Sequence, residues 1–269
     1  MMEIPNLRDI NLSQGQYIRV GSPELNRNDV FFNKSDNTYL KFYKSKEHFS
    51  NEKHALDYYK GEILVPNIIS EGQMCLCLKA LDGVPFVDEY LDELSYYKMG
   101  VVLKNLHANF RVPTQACSSI FNSYGCSNYY TLEQNRLKSI FGKISTDFQW
   151  RRFETILSNL LYELNEGNNL LTYLVLCHND FCNRNVLECN GTITGIIDFE
   201  KSYYADPICD LSTIIIKEFR TQNLNAFLSS YFKSKISSSN KKKMAYFTKA
   251  RGRFICLTTP RRYDIISPR

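Results

Sequence analysis

The chain has 269 residues, 43% of them hydrophobic, with nine cysteines and a formal net charge of +5. That length suits one two-lobed catalytic unit or two modest domains with a proper core, and so small a charge, without aromatic–basic interleaving, argues against a nucleic-acid surface. No basic leader precedes an apolar stretch, no apolar run approaches the ~20 residues that span a bilayer, and the scattered cysteines lack C-x-x-C pairs, so the expectation is a cytoplasmic protein without membrane segment, disulfide framework or zinc site.

In chain order, Gly21 to Asp29 reads as a polar loop with a single glycine. Val30-Phe31-Phe32 and Thr38 to Tyr43 are rich in strand formers and flank the polar cluster Asn33 to Asn37, which predicts a hairpin. Lys41 is embedded in the second strand, and Lys44 lies at its end. Phe49 to Tyr59 has helical spacing, with Phe49, Leu56 and Tyr59 on one face. Glu52 falls on that same face. A carboxylate on an apolar stripe is costly unless paired, and Lys41 is its natural partner. Gly61 supplies a helix stop. Met74 to Leu78 reads as a buried strand that dissolves into a turn over Lys79-Ala80-Leu81-Asp82-Gly83.

Met99, Val102, Leu103 and Leu106 keep the spacing of a helix that ends in His107. Arg111 to Phe148 is weakly patterned and aromatic, with Phe121, Tyr124, Tyr129, Tyr130 and Phe141. Aromatic walls suit sugar faces or a quaternary ammonium, although core packing is their more ordinary use. Phe153, Ile156, Leu157, Leu160, Leu161 and Leu164 predict a second helix.

The stretch from Leu174 to Leu211 carries the chemistry. It holds H-x-D-x-x-x-x-N, with His178, Asp180 and Asn185, and then I-I-D-F-E, with Asp198 and Glu200. Asn190-Gly191 lies between strand-like runs and predicts a tight hairpin. Such a hairpin brings Asn185 beside Asp198, so an amide and a carboxylate can share one ion. Phosphoryl transfer needs a carboxylate that accepts a hydroxyl proton, and hard oxygen ligands for Mg²⁺. Asp180 fits the first role; Asn185 and Asp198 fit the second.

These motifs, followed by A-D-P-I-C-D-L, resemble the aminoglycoside phosphotransferase and choline kinase-like superfamily. The resemblance implies an α+β, bilobal protein-kinase-like fold, with a small antiparallel-sheet amino-terminal lobe (1–79) that binds nucleotide. A larger, mostly helical lobe (80–269) would hold the catalytic loop and acceptor site. It implies that Asp180 is the catalytic base, that Asn185 and Asp198 hold Mg²⁺, and that Lys41, positioned by Glu52, contacts the phosphates of ATP or GTP. The backbone of Lys79, Ala80 and Leu81 would meet the purine edge at a hinge. His178 and Asp210 would brace the catalytic loop. Glu200 and Asp206 would either touch the metal's surroundings or cap the following segment. The expected glycine-rich phosphate loop, G-x-G-x-x-G, is missing near the amino terminus.

The acceptor is the open term. Residues 212–269 contain thirteen Lys and Arg against two Asp and Glu. Enzymes of this family that phosphorylate polycationic aminoglycosides usually place carboxylates in that region. Acidic residues stand instead at Asp88, Glu89, Asp92, Glu93, Glu154, Glu163 and Glu166. The expected acceptor is a small-molecule hydroxyl, most like that of an aminoglycoside or other antibiotic. The alternatives are a metabolic kinase of choline, ethanolamine, a sugar or an amino alcohol, and a non-catalytic pseudokinase. The oligomeric state is left open.

Overall fold

The computed structural model describes residues 17–21, 28–62, 64–86, 91–113, 173–217, 222–233, 236–238 and 240–245, with single residues at 131, 135 and 248. The chain divides into two compact units, residues 1–95 with 178–203, and residues 96–177 with 204–269.

The first unit is built on a five-stranded antiparallel sheet in the order β1-β2-β3-β5-β4. Its strands are β1 (Tyr17–Val20), β2 (Asp29–Asn33), β3 (Thr38–Phe42), β4 (Ile68–Gly72) and β5 (Cys75–Lys79). The polar cluster closes the β2–β3 hairpin because Asn33 bonds both the Ser35 N–H and the Asp36 carboxylate at 3.0 Å. Asn37 then takes the left-handed conformation that asparagine tolerates, at φ 52°.

Strand alternation gives the sheet two unlike faces. Phe31, Leu40, Cys75 and Cys77 form a buried cluster on one, with Tyr17 and Phe42 packed against it. Burial, reinforced by neighbouring Cys77, pushes the Cys75 thiol up to about 12, so this cysteine is inert packing. The other face carries Lys41.

Helix α1 (Lys46–Tyr58) follows β3. Ser45 caps it by accepting the His48 N–H at 3.4 Å. Gly61, at φ +93°, ends the turn that follows it. A second sheet, in the order β10-β9-β6, joins β6 (Val84–Pro85) to the hairpin of β9 (Val186–Cys189) and β10 (Thr192–Ile196). Asn190 and Gly191 both have positive φ, 51° and 75°, as the tight Asn-Gly turn requires. The hairpin is stitched to the segment after β5: Thr194 Oγ1 donates to the Asp82 carbonyl at 2.6 Å. Gly195 lies so close to Leu81 that an added Cβ would meet its Cδ1 at 2.6 Å.

The second unit contains β7 (Arg111–Pro113) and β8 (Tyr173–Cys177), which pair antiparallel beside β11 (Tyr203–Ala205). Among the described residues its longer helices are α2 (Glu93–Asn109), α3 (Ile208–Lys217) and α4 (Gln222–Phe232). Met99, Leu103 and Leu106 of α2 are buried, as their spacing predicts, whereas Val102 is only half-buried; Tyr96 joins the buried face one turn earlier. Gly100 lets α4 approach; a Cβ there would lie 2.5 Å from the Phe227 carbonyl oxygen. His107 Nε2 donates to Asp210 at 3.0 Å, and His107 Nδ1 lies 2.8 Å from the Tyr231 hydroxyl. The helix expected over Phe153 to Leu164 and the aromatic residues from Phe121 to Phe141 lie outside the described residues, as do Asp88, Glu89, Glu154, Glu163 and Glu166. Among the described residues, no helix is long and apolar enough to cross a membrane.

Gly83 offers a test of the stitching. It sits at φ +106°, and an added Cβ would meet the Glu188 carbonyl oxygen and Thr194 Oγ1 at 2.6 Å. Gly83→Ala is expected to cost about 1–3 kcal/mol of stability. A thermal melt superimposable on that of the parent chain would show that this close approach is no constraint.

Candidate active site

The site begins with the register of the large sheet. Val20, Val30, Lys41 and Leu76 stand in one row across four strands, and Ile18, Phe32, Tyr39 and Leu78 in the next row on the same face. Lys41 therefore emerges from an apolar surface. Part of that surface faces solvent: Ile18 is 60% exposed and Val20 38%.

Lys41 itself is buried and meets three carboxylates. Its Nζ lies 2.6 Å from Glu52 Oε2, 2.5 Å from Asp198 Oδ1 and 3.3 Å from Glu200 Oε2. The expected pair with Glu52 is thus present, and the carboxylate on the apolar stripe of α1 is satisfied. Tyr43, two residues after Lys41, also donates to Glu52 Oε2 at 2.8 Å. The Phe199 N–H reaches Glu52 Oε1 at 3.3 Å.

The electrostatics follow from this geometry. Burial alone would lower the Lys41 pKa, but Glu52, Asp198 and Glu200 outweigh it and hold the ammonium above its ordinary 10.5. Burial pushes the Asp198 carboxyl up, yet Lys41 more than reverses this and leaves it below its usual value. Glu52 goes the other way: burial dominates over Lys41, and its pKa is raised. One ammonium faces three carboxylates, whose oxygens lie within 4.8 Å of one another and could also meet a further cation.

The catalytic-loop motif is braced from within. His178 is fully buried. Its Nε2 donates to the Ile197 carbonyl at 2.9 Å, and its Nδ1 accepts the Asp180 N–H at 3.2 Å. These two bonds fix one neutral tautomer. Phe199 is buried between the rings of His178 and Tyr59, at centroid distances of 4.6 and 5.7 Å. Burial of such a ring contributes about 1.5–3 kcal/mol, which ties the loop to the end of α1.

The Asn-Gly hairpin does what its turn implies. The Ile197 N–H bonds the Asn185 carbonyl at 2.9 Å, so Asn185 and Asp198 flank each other across the base of β9 and β10. Asn185 Nδ2 donates to the Asp180 carbonyl at 3.0 Å, which leaves Oδ1 as the atom of the amide that could meet a cation. Asn179 and Asp198 both adopt positive φ, 62° and 68°. Strained non-glycine residues of this kind cluster at functional sites. The oxygen donors of Asn185 and Asp198, beside excess negative charge, fit Mg²⁺.

The remaining expected residues fall as follows. Glu200 is buried beside Lys41, accepts a hydrogen bond from Asn28 Nδ2 and takes Asn51 Nδ2 on its carbonyl at 3.3 Å. Asp206 accepts the Ile208 N–H at 2.9 Å and so caps the start of α3. Asp210 lies in the second unit as the partner of His107. At the hinge, the Lys79 N–H is committed to Asn67 at 2.9 Å and the Ala80 N–H to Asn37 at 3.0 Å. Of the three expected hinge donors, these bonds leave only that of Leu81 uncommitted.

Four side chains here were not singled out from the sequence. Tyr43 was legible, because alternation along β3 puts it on the Lys41 face. Asn28 and Asn51 reach Glu200 across long sequence separations and carry no motif. Lys201 lies 2.6 Å from Asp180 Oδ2, and only its place directly after I-D-F-E marks it.

The sequence comparison decides the family. A profile described as the APH phosphotransferase enzyme family matches residues 22–247. The chain belongs to this family. It is a phosphotransferase acting on small-molecule hydroxyl groups. A comparison with curated proteins found no match. Solved structures share the protein-kinase-like fold of this phosphotransferase. APH(2")-IIa, in a ternary complex with streptomycin and ATP, is 16% identical over 89% of this chain and 87% of that one, with a TM-score of 0.60. A choline/ethanolamine kinase family protein from Mesorhizobium loti is 15% identical over 88% and 76% of the two chains, at 0.64. Macrolide 2'-phosphotransferase MphH from Brachybacterium faecium is 13% identical over 93% of each, at 0.56. At these identities the likeness establishes the fold.

Lys41→Met tests the charge balance. Removing one partner of a buried ion pair costs about 3–5 kcal/mol. The pKa of Glu52 is raised above its ordinary 4.5 in the folded chain, so the cost of its buried charge is absent below that pH and grows as pH rises through it. The melting temperature of Lys41→Met should therefore fall furthest below that of the parent near pH 8, and the gap should narrow toward pH 5. A gap independent of pH would mean that Glu52 is not the group left uncompensated.

Proposed function

We propose that this phosphotransferase uses Mg²⁺ to move the γ-phosphate of ATP or GTP to a hydroxyl of an aminoglycoside or a similar antibiotic. The observation that carries the reading is the contact of Lys41 with both Glu52 and Asp198. It joins a strand lysine on an apolar sheet face to the carboxylate beside Asn185. The division of labour would follow residues 1–79 for nucleotide and 80–269 for the catalytic loop and acceptor.

In this reading the base lies against Ile18, Val20, Val30 and Phe32, and its edge meets the backbone N–H of Leu81. Lys41, steadied by Glu52 and Tyr43, contacts the phosphates. Asn185 and Asp198 would hold Mg²⁺, which would supply positive charge to offset that of the phosphates. Asp180, oriented through the His178 ring, receives the proton of the acceptor hydroxyl. Choline, ethanolamine or a sugar could be served by the same residues, and the scarcity of carboxylates in residues 212–269 keeps a neutral acceptor in the comparison.

Nucleoside-diphosphate release, followed with ATP and GTP, Mg²⁺ and a panel of aminoglycosides, macrolides, choline, ethanolamine and sugars, tests the reading. Asp180→Asn is expected to lower kcat by about 10²–10⁴ while nucleotide still binds. Near-parental turnover would remove Asp180 as the base. Asp198→Ala, or chelation of Mg²⁺ in the parent enzyme, should abolish metal-dependent nucleotide binding. Binding indifferent to both would take Asp198 out of the metal site.

A further inference from the structure

Asp180 does not face the acceptor side alone. Its Oδ2 forms an ion pair with Lys201 Nζ at 2.6 Å. Lys201 occupies the third position of a turn closed by the Ser202 N–H on the Phe199 carbonyl at 2.9 Å. That turn begins directly after Asp198, whose φ of 68° redirects the chain. The positive charge of Lys201 also reaches Asp198, adding to the larger effect of Lys41 there. Lys201 thus stands between the base and the carboxylate expected to hold the metal.

Among the described residues, Lys201 is the ammonium paired with Asp180. Phe181 and Cys182 follow Asp180 and are buried, and Arg184 is exposed. Lys41 is already shared among three carboxylates. An Oδ2 occupied by an ammonium at 2.6 Å is not open to an acceptor hydroxyl. An ammonium within hydrogen-bond reach of that carboxylate is also close to where the reacting phosphoryl oxygens must lie for in-line transfer.

We infer that Lys201 is a phosphate-contacting residue that caps Asp180 before nucleotide arrives and moves to the γ-phosphate oxygens on loading, freeing Asp180 for the acceptor hydroxyl. The inference rests on the phosphotransfer reading above. In the step itself, the acceptor oxygen forms a bond to the γ-phosphorus and its proton passes to Asp180. The bond from that phosphorus to the bridging oxygen breaks, and the electron pair leaves on the nucleoside diphosphate. Lys201 keeps its proton throughout, and its charge lies against the non-bridging oxygens.

The plainer reading is a surface ion pair. The two side chains are 34% and 28% exposed, and pairs so exposed contribute little to stability. That same exposure makes Lys201→Met a variant that should fold. The test compares Lys201→Met, Lys201→Arg, Asp180→Asn and the Asp180→Asn/Lys201→Met pair in the full chain, with the acceptor and nucleotide that the parent enzyme uses. Lys201→Met should lose about 10²-fold in kcat, with a smaller change in KM for nucleotide and an unchanged melting temperature. Lys201→Arg should keep most of the activity, and the double variant should be no worse than Asp180→Asn alone. Parental kcat in Lys201→Met would overturn the assignment. So would equal losses in both Lys201 variants accompanied by a lowered melting temperature, which would make the pair structural. A parent enzyme silent with every acceptor, in contrast, would sink the phosphotransfer reading itself and this inference with it.

Discussion

The Lys41 ammonium, almost wholly buried, sits among the carboxylates of Glu52, Asp198 and Glu200, and the buried ions Lys41, Glu52 and Glu200 would each alone cost several kcal/mol to take out of water. Each is tolerated only because the others are present. β3, α1 and the segment after β10 must therefore arrive together, although Lys41 and Asp198 are separated by 157 residues in the chain. Tyr43 and the Phe199 backbone complete the hydrogen bonding of Glu52, so its burial leaves neither oxygen without a donor. The three carboxylates that share this ammonium are oxygen donors close enough together to meet a cation as well.

Packing turns that charge cluster into a shaped site. One face of the large sheet is closed by Phe31, Leu40, Cys75 and Cys77, and this frees the other face to present Ile18 and Val20 to solvent beside Lys41. Exposed aliphatic side chains are informative when they line up with a buried charge, and here two rows of strand register align them with Lys41. The contacts of Gly83, Thr194 and Gly195 then fix the β9–β10 hairpin against the segment from Leu81 to Val84. The carboxylate at the end of β10 and the backbone N–H of Leu81 are thereby held at a constant separation.

What could be read from the sequence was written in short-range patterns. Asn190-Gly191 specified its own turn, and the turn placed Asn185 beside Asp198. The stripe of α1 exposed Glu52 as an anomaly that needed a cation, and the alternation of β3 offered Lys41. What could not be read depends on which strands meet. The hinge was expected over Lys79, Ala80 and Leu81, but pairing with Asn67 and Asn37 commits two of those N–H groups, and no local pattern announces either partner. Asp206 could have belonged to the metal site or to a helix start, and the bond to Ile208 that makes it a cap depends on where α3 begins. The partnership of Asp180 with Lys201 arises only when a loop and a turn 21 residues apart are folded together.

The first compact unit draws on two separate stretches, residues 1–95 and 178–203. Lys41 and Glu52 come from one; Asp180, Asn185 and Asp198 come from the other. No cut between Glu52 and Asp180 leaves a fragment that contains them all. A truncation ending after β5 would carry the lysine and the glutamate without Asp198 and Glu200, while the complementary piece would carry those carboxylates without their ammonium. Reassembly from two halves would have to form the charge cluster and the docking of the hairpin in one event, so the two stretches are bound to fold, and to be inherited, as one.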